Sequence, residues 1–199
     1  MNGARHLTFD GWRHLRVARH PYSSSVHLTP EVVTPQLRGL FGRPYVYAVE
    51  TESTQHLAPA DAPHGTVALA EHQTKGRGRL GRVWVDEPST GLKFSVTLRP
   101  PQPVARWPEI TLVAAAAVSG AIPGSTIKHP NDVLLNGLKV AGILADATDR
   151  VVLGIGINVG STPWPDSGYV NADRLELLVE ILERLEAGYD AWAAQLTDS

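Results

Sequence analysis

The chain has no cysteine, which excludes a disulfide scaffold, a thiolate metal site and a cysteine nucleophile. It has no run of about 18 apolar residues that could span a bilayer, no internal repeat, and no linker long enough to split its 199 residues. Disorder is excluded as well, because 43% of residues are apolar and 19% charged, an ordinary globular balance. One domain with a full core is the expected organisation. Lysine is scarce: 14 of the 18 basic residues are Arg and only Lys75, Lys93, Lys128 and Lys139 are Lys. In so Arg-biased a chain a lysine hints that a compact ammonium was wanted. Three of the four fall in the motifs described below.

The net charge of −2 gives no whole-chain reason to bind nucleic acid. The distribution is uneven, however. Residues 1–82 carry ten Lys/Arg against six Asp/Glu, and residues 83–199 carry eight against fourteen. The positive part closes with Lys75, Arg77, Arg79 and Arg82.

Residues 1–26 read as an N-terminal extension with four Arg and one Asp, a decorating arm rather than a presequence. His6, His14 and His20 have no fixed ligand spacing and read as solvated or capping residues. The pattern then predicts a helix over Leu28–Leu40 capped by Thr29, and strands over Tyr45–Glu50, Gly65–Glu71 and Leu92–Leu98. A buried helix is expected over Trp107–Gly120. Strand-like segments follow at Ser125–His129, Asp132–Ala145 and Val151–Val159, the second broken by an Asn136-Gly137 hairpin turn. Residues 160–170 are a loop. An amphipathic helix starts at about Asp173, with Glu176 completing a capping-box-like start and Leu175, Leu178, Leu182, Leu185 and Tyr189 in one stripe. The sum is an α+β fold with a mixed, largely antiparallel sheet flanked by helices.

Three segments carry chemistry. Residues 71–84 (EHQTKGRGRLGRVW) place three glycines and four cations close together, with no acid among the cations. Those cations repel one another unless anions come between them. A mobile cationic loop ending in Trp84 suits a phosphate-bearing ligand with a planar ring, since guanidinium forks hold phosphate oxygens and indole can stack. Non-specific RNA binding, or no more than a solvated loop, would account for the same segment. Next, residues 128–132 (KHPND) precede LKVAGIL, in which Lys139 sits in an apolar strand and needs an anionic partner unless it snorkels outward. Gly142 leaves room beside it. Last, in residues 151–159 Val151, Leu153, Ile155, Ile157 and Val159 face one way and Gly154, Gly156 and Asn158 the other. That bare face suits either a flat ligand read by Asn158 or a closely crossing helix.

Together these blocks resemble the biotin–protein ligase family in wording and order. The Gly-rich segment resembles its GRGRxGRxW loop, KHPND with LKVAGIL resembles its KWPND and K[LV]AGIL pair, and GIGINV matches a third block. Glu52-Ser53-Thr54-Gln55 resembles its D/E-S-T-N turn. The resemblance runs from about Leu28 to the last helix. It implies the biotinyl/lipoyl-ligase fold, akin to class II aminoacyl-tRNA synthetases. It also implies one catalytic domain over 1–199, without a helix-turn-helix and without the small SH3-like C-terminal domain of many members. Carried over, Ser53, Thr54, Gln55, Gln73 and Gly142 line the biotin pocket, and Arg77, Gly78 and Arg79 close over biotin and the adenylate phosphate. Lys139 binds the biotin carboxylate and the bridging oxygen, so Lys139, Arg77 and Arg79 are the catalytic group. Trp84, Lys128, Asn131, Asp132 and Asn158 serve ATP, with Mg²⁺ as cofactor and no protein metal site.

The implied activity is ATP-dependent formation of biotinyl-5'-AMP and transfer of biotin to a lysine of a biotin carboxyl carrier protein, in the cytoplasm, with no membrane or nucleic-acid partner. Relatives often form homodimers, which an exposed sheet edge would suit. His129 departs from the family's Trp. Three alternatives stand beside this: a lipoate or octanoate ligase on the same fold, a biotin- or adenylate-binding relative with weak or no transfer, and a nucleic-acid module built on the basic loop.

Overall fold

In the computed structural model, residues 26–85, 88 and 90–196 are described. The sequence-predicted extension, with His6, His14 and His20, lies outside the described residues apart from Val26. Seven strands form one sheet: β1 (Tyr45–Thr51), β2 (Val67–Gln73), β3 (Leu92–Leu98), β4 (Ser125–Lys128), β5 (Asp132–Leu135), β6 (Leu138–Ala147) and β7 (Val151–Ile157). Their order is β1-β2-β3-β7-β6-β5-β4. Only β1 and β2 run parallel; the other pairs are antiparallel. The mixed, largely antiparallel sheet is therefore as the sequence implies.

The centre of the sheet follows from period-two patterning. In β7 the burial alternates, with Val151, Leu153, Ile155 and Ile157 buried and the glycines between them less so. β5 and β6 are joined through Asn136 (φ 53°) and Gly137 (φ 79°). Positive φ at both central residues is the backbone that an Asn-Gly hairpin turn supplies at least strain. All seven residues of strand β3 are buried, the polar Lys93, Ser95 and Thr97 included. Its polar face is covered too: the Ser95 hydroxyl lies 2.8 Å from that of Thr54, in a short 3-10 turn at Thr54–His56.

Three α-helices are found among the described residues. Helix α1 spans only Pro30–Val33 and passes into a 3-10 turn at Thr34–Gln36. The longer helix expected there is stopped by Pro35, which lacks the N–H that a continuing helix bonds, and Thr29 makes no side-chain cap. Helix α2 (Glu109–Ala121) begins two residues later than expected. Helix α3 (Arg174–Ala193) starts as predicted: Asp173 Oδ1 accepts from the amides of Leu175 (2.8 Å) and Glu176 (3.0 Å). Helices α2 and α3 pack together. Leu178, Ile181, Leu182, Leu185, Ile110, Ala114 and Val118 join Phe94, Ile143, Leu153 and Ile155 in one buried core. Burying each such aliphatic chain contributes about 1.5–3 kcal/mol.

One buried ion pair ties this layer to the sheet. Glu71 on β2 is 1% exposed and faces Arg174 at 2.5 Å, while its other oxygen accepts from Leu28 N at 2.9 Å. Arg174 Nε also donates to Gly91 O (2.9 Å).

Candidate ligand site

The sheet face away from the helices carries the site. Register places Gly142 opposite Gly156 and Leu144 opposite Gly154, with Lys93 and Ser95 as the neighbours across β3. Two adjacent glycines on β6 and β7 leave a patch of bare backbone. That patch is covered by side chains. A Cβ added at Gly156 would come within 2.7 Å of the Trp84 ring, one at Gly142 within 3.2 Å of the same ring, and one at Gly154 within 3.2 Å of Gln55 Nε2. The flat group on the bare face is thus the indole of Trp84, where the sequence suggested a ligand.

The Gly-rich segment folds into a tight hairpin. Gly78 N donates to Arg82 O at 2.7 Å and Trp84 N to Gly76 O at 2.9 Å, with Arg77 bridged to Val83. Its tip, Leu80, has φ 57° and is 91% exposed. Gly76 at the base could not be replaced, because a Cβ there would lie 2.3 Å from Trp84 O.

Two cavities meet under this hairpin. The inner one, about 60 Å³, is lined by Ser53, Thr54, Gln55, Gln73, Arg77, Gly78, Arg79, Trp84, Asn131, Lys139 and Gly142, with Ile143, Leu144, Gly154, Ile155 and Gly156. The outer one, about 630 Å³, is lined by Gly78, Arg79, Leu80, Arg82, Val83, Trp84, Val85, Asn131, Asp132, Lys139, Asn158, Trp164 and Ser167. They share Gly78, Arg79, Trp84, Asn131 and Lys139. All nine residues that the resemblance assigns to biotin therefore line the inner cavity. Four of the five assigned to ATP line the outer one. Lys128 does not join them: it is exposed at the end of the edge strand β4 and lines neither cavity.

A polar network shapes the inner cavity. Gln73 Oε1 accepts from Thr54 N (2.8 Å) and Thr54 Oγ1 (3.1 Å). Gln55 Nε2 donates to Leu144 O (3.1 Å), which fixes the amide's orientation. Its buried Oε1 then finds no donor among the described residues. A buried acceptor in that state costs about 1–3 kcal/mol unless a ligand N–H fills it.

Four cations of the site meet a partner. Arg77 Nη1 lies 3.0 Å from Asp146 Oδ2 and 3.5 Å from His56 Nε2, and Arg79 Nη1 donates to Asn131 Oδ1 at 2.9 Å. Lys139 Nζ is 2.7 Å from the buried Asp132 Oδ1, a charge contact without the alignment of a hydrogen bond, and 5.9 Å from the Trp84 ring centroid. Lys139 is thus held by Asp132 rather than snorkelling outward. Lys75 stands apart, paired at 2.6 Å with exposed Glu52, and that hydrogen bond lowers the Glu52 carboxyl pKa. Asn158 is also engaged: Nδ2 donates to Gly168 O at 2.8 Å, stapling the 160–170 loop beside the outer cavity.

Sequence reasoning missed Trp164, Asp146 and His56. Trp164 is 51% exposed on the outer cavity wall; a lone aromatic in a Pro/Gly/Ser loop gave no periodic signal. Among the described residues no three His, Asp or Glu are grouped to hold a metal ion, and no helix is long and apolar enough to cross a membrane.

Residues 47–160, more than half the chain, match the model of the biotin/lipoate A/B protein ligase family. The chain belongs to that family. The bifunctional ligase/repressor BirA of Bacillus subtilis is 43% identical to it over 130 residues, covering 58% of this chain and 40% of that protein. The biotin–[acetyl-CoA-carboxylase] ligase of Mycobacterium tuberculosis is 40% identical over 147 residues, covering 64% and 55%. The chain thus spans about half the length of the curated relatives it matches. The biotin protein ligase of Aquifex aeolicus in complex with biotin and ATP superposes with a TM-score of 0.68 at 32% identity, over 76% of this chain and 72% of that one. The biotin/lipoate ligase fold implied by the motifs is accordingly the observed one.

Proposed function

We propose that this family member activates biotin with ATP to biotinyl-5'-AMP and passes the biotin to a lysine of a biotin carboxyl carrier protein. The observation that carries it is the pair of cavities meeting at Arg79, Trp84 and Lys139. A reaction that joins two substrates needs two subsites with the positive charge at their junction. Relatives solved with biotin and ATP, or named for biotin ligation, support the same assignment.

In the chemical step a biotin carboxylate oxygen bonds to the α-phosphorus and the bond to pyrophosphate breaks. In the second, the acceptor amine nitrogen bonds to the acyl carbon, the bond from that carbon to the AMP oxygen breaks, and the nitrogen sheds a proton to solvent. Two anions must meet in the first step, so Lys139, Arg77 and Arg79 offset their repulsion and stabilise charge as it develops. The inner cavity takes biotin, with Gln55 Oε1 accepting a ureido N–H. The outer cavity takes ATP between Trp84 and Trp164. Mg²⁺ needs only one or two protein carboxylates when phosphates supply the rest. Asp132, a carboxylate on the outer cavity wall whose Oδ1 faces Lys139 Nζ at 2.7 Å, fits that role and would hold it, and the ion would neutralise phosphate charge there. Closed over the site, Trp84 and Leu80 keep water from the mixed anhydride.

The same reading makes this stretch a single catalytic domain acting in the cytoplasm, with a homodimer built on an outer sheet edge, β1 or β4. Biotin-dependent exchange of labelled pyrophosphate into ATP tests the first step. Exchange supports adenylation; exchange driven by lipoate or octanoate instead would favour the other branch of the family.

A further inference from the structure

Three side chains hold the hairpin over the site. Trp84 lies on the bare glycines, Arg79 bonds Asn131, and Arg77 meets Asp146. The first two contacts belong to residues that line the cavities. Asp146 does not: it sits on β6 two residues beyond Leu144, outside both cavities. Its side chain is 45% exposed and that of Arg77 47%. No packing demand calls for a carboxylate at this point.

The geometry of a guanidinium explains what Asp146 does. Arg77 presents five N–H donors in a fixed planar fork, and Asp146 engages Nη1. The remaining donors are left for a second anion in the inner cavity, which Arg77 lines. A carboxylate on one edge thus aims the fork at the cavity and clamps the 76–84 hairpin to β6. We propose that Asp146 is a positioning residue for the adenylation reaction, holding Arg77 and the hairpin closed so that the activated acid stays bound until the acceptor arrives. This rests on the ligase activity proposed above. The opposite arrangement, in which Asp146 competes with the ligand for Arg77, predicts that its removal tightens binding.

The test is Asp146→Asn and Asp146→Glu in the full chain with labelled biotin, ATP and Mg²⁺. Adenylate released into solution and biotin on a carrier domain are measured together. A half-exposed ion pair shifts an equilibrium by up to about fivefold, so D146N should raise the ratio of released to transferred biotin about two- to fivefold. D146E should restore the parent ratio, and neither should change thermal stability. Added salt should raise the parent ratio toward that of D146N while leaving D146N unchanged, because screening removes what the mutation removes; a loss of fold would show no such convergence. An unchanged ratio in D146N, or tighter retention, overturns the proposal. A parent without biotin-dependent pyrophosphate exchange would fail the ligase reading itself, a separate outcome.

Discussion

Glu71→Ala should strongly destabilise the chain. Glu71 and Arg174 are buried, with side chains 1% and 5% exposed, and pair at 2.5 Å. Removing one partner of a buried pair costs about 3–5 kcal/mol, because the other charge stays in a low-dielectric interior. The mutation also takes the acceptor from Leu28 N. For a domain of this size each kcal/mol moves Tm by about 2–4 °C, so Tm should fall by about 6–20 °C in a calorimetric or circular-dichroism melt. The double variant Glu71→Leu/Arg174→Leu removes both charges and should lose less than Glu71→Ala alone. A drop under about 2 °C for Glu71→Ala, or a double variant as damaged as the sum of its parts, would refute the reasoning.

Gly156→Ala adds a Cβ 2.7 Å from the Trp84 ring, so the indole must shift; kcat/KM for biotin should fall at least about tenfold, and a fall under twofold would show that the indole's seat is immaterial. Trp164→Ala removes one wall of the outer cavity, so KM for ATP should rise about tenfold with KM for biotin within twofold; equal rises in both would remove Trp164 from the nucleotide side. Burial holds the His64 imidazole below its usual 6.5, outweighing Asp190 and Glu186, which raise it, and its Nδ1 accepts from Arg99 N. The unfolded chain then binds more protons than the folded one between that lowered value and 6.5, so stability falls as pH drops through this window. Melts from pH 7.5 to 5 should show the decline, and His64→Phe should flatten it; a parent that gains stability in that window would contradict the sign.

Local signals in the sequence were enough for β7, the Asn136-Gly137 turn and the Asp173 cap, because each depends on side-chain periodicity or on one backbone conformation. The nine residues around the inner cavity were reached through the four family blocks, which β2, β6 and β7 bring together. Contacts between distant segments were not legible. Glu71 and Arg174 are 103 residues apart, and nothing local marks either as half of a pair. Trp84 was read as a nucleotide contact and does line the outer cavity; that its indole also lies on Gly142 and Gly156 depends on how the hairpin folds back over the sheet, which no local pattern marks. Lys128 was carried over with its motif; the strand ends there with the side chain outward. The α1 helix was overextended because the apolar pattern outvoted Pro35.

The most direct measurement is transfer of labelled biotin to a carrier domain, with ATP and Mg²⁺, by the parent chain and by Lys139→Ala. Lys139 lines both cavities, and removing a preorganised cation from developing charge costs about 10²–10³ in rate. Transfer by the parent with at least a hundredfold loss in the variant is the predicted result. No transfer and no biotin or adenylate binding by the parent, or a variant as active as the parent, would contradict the account.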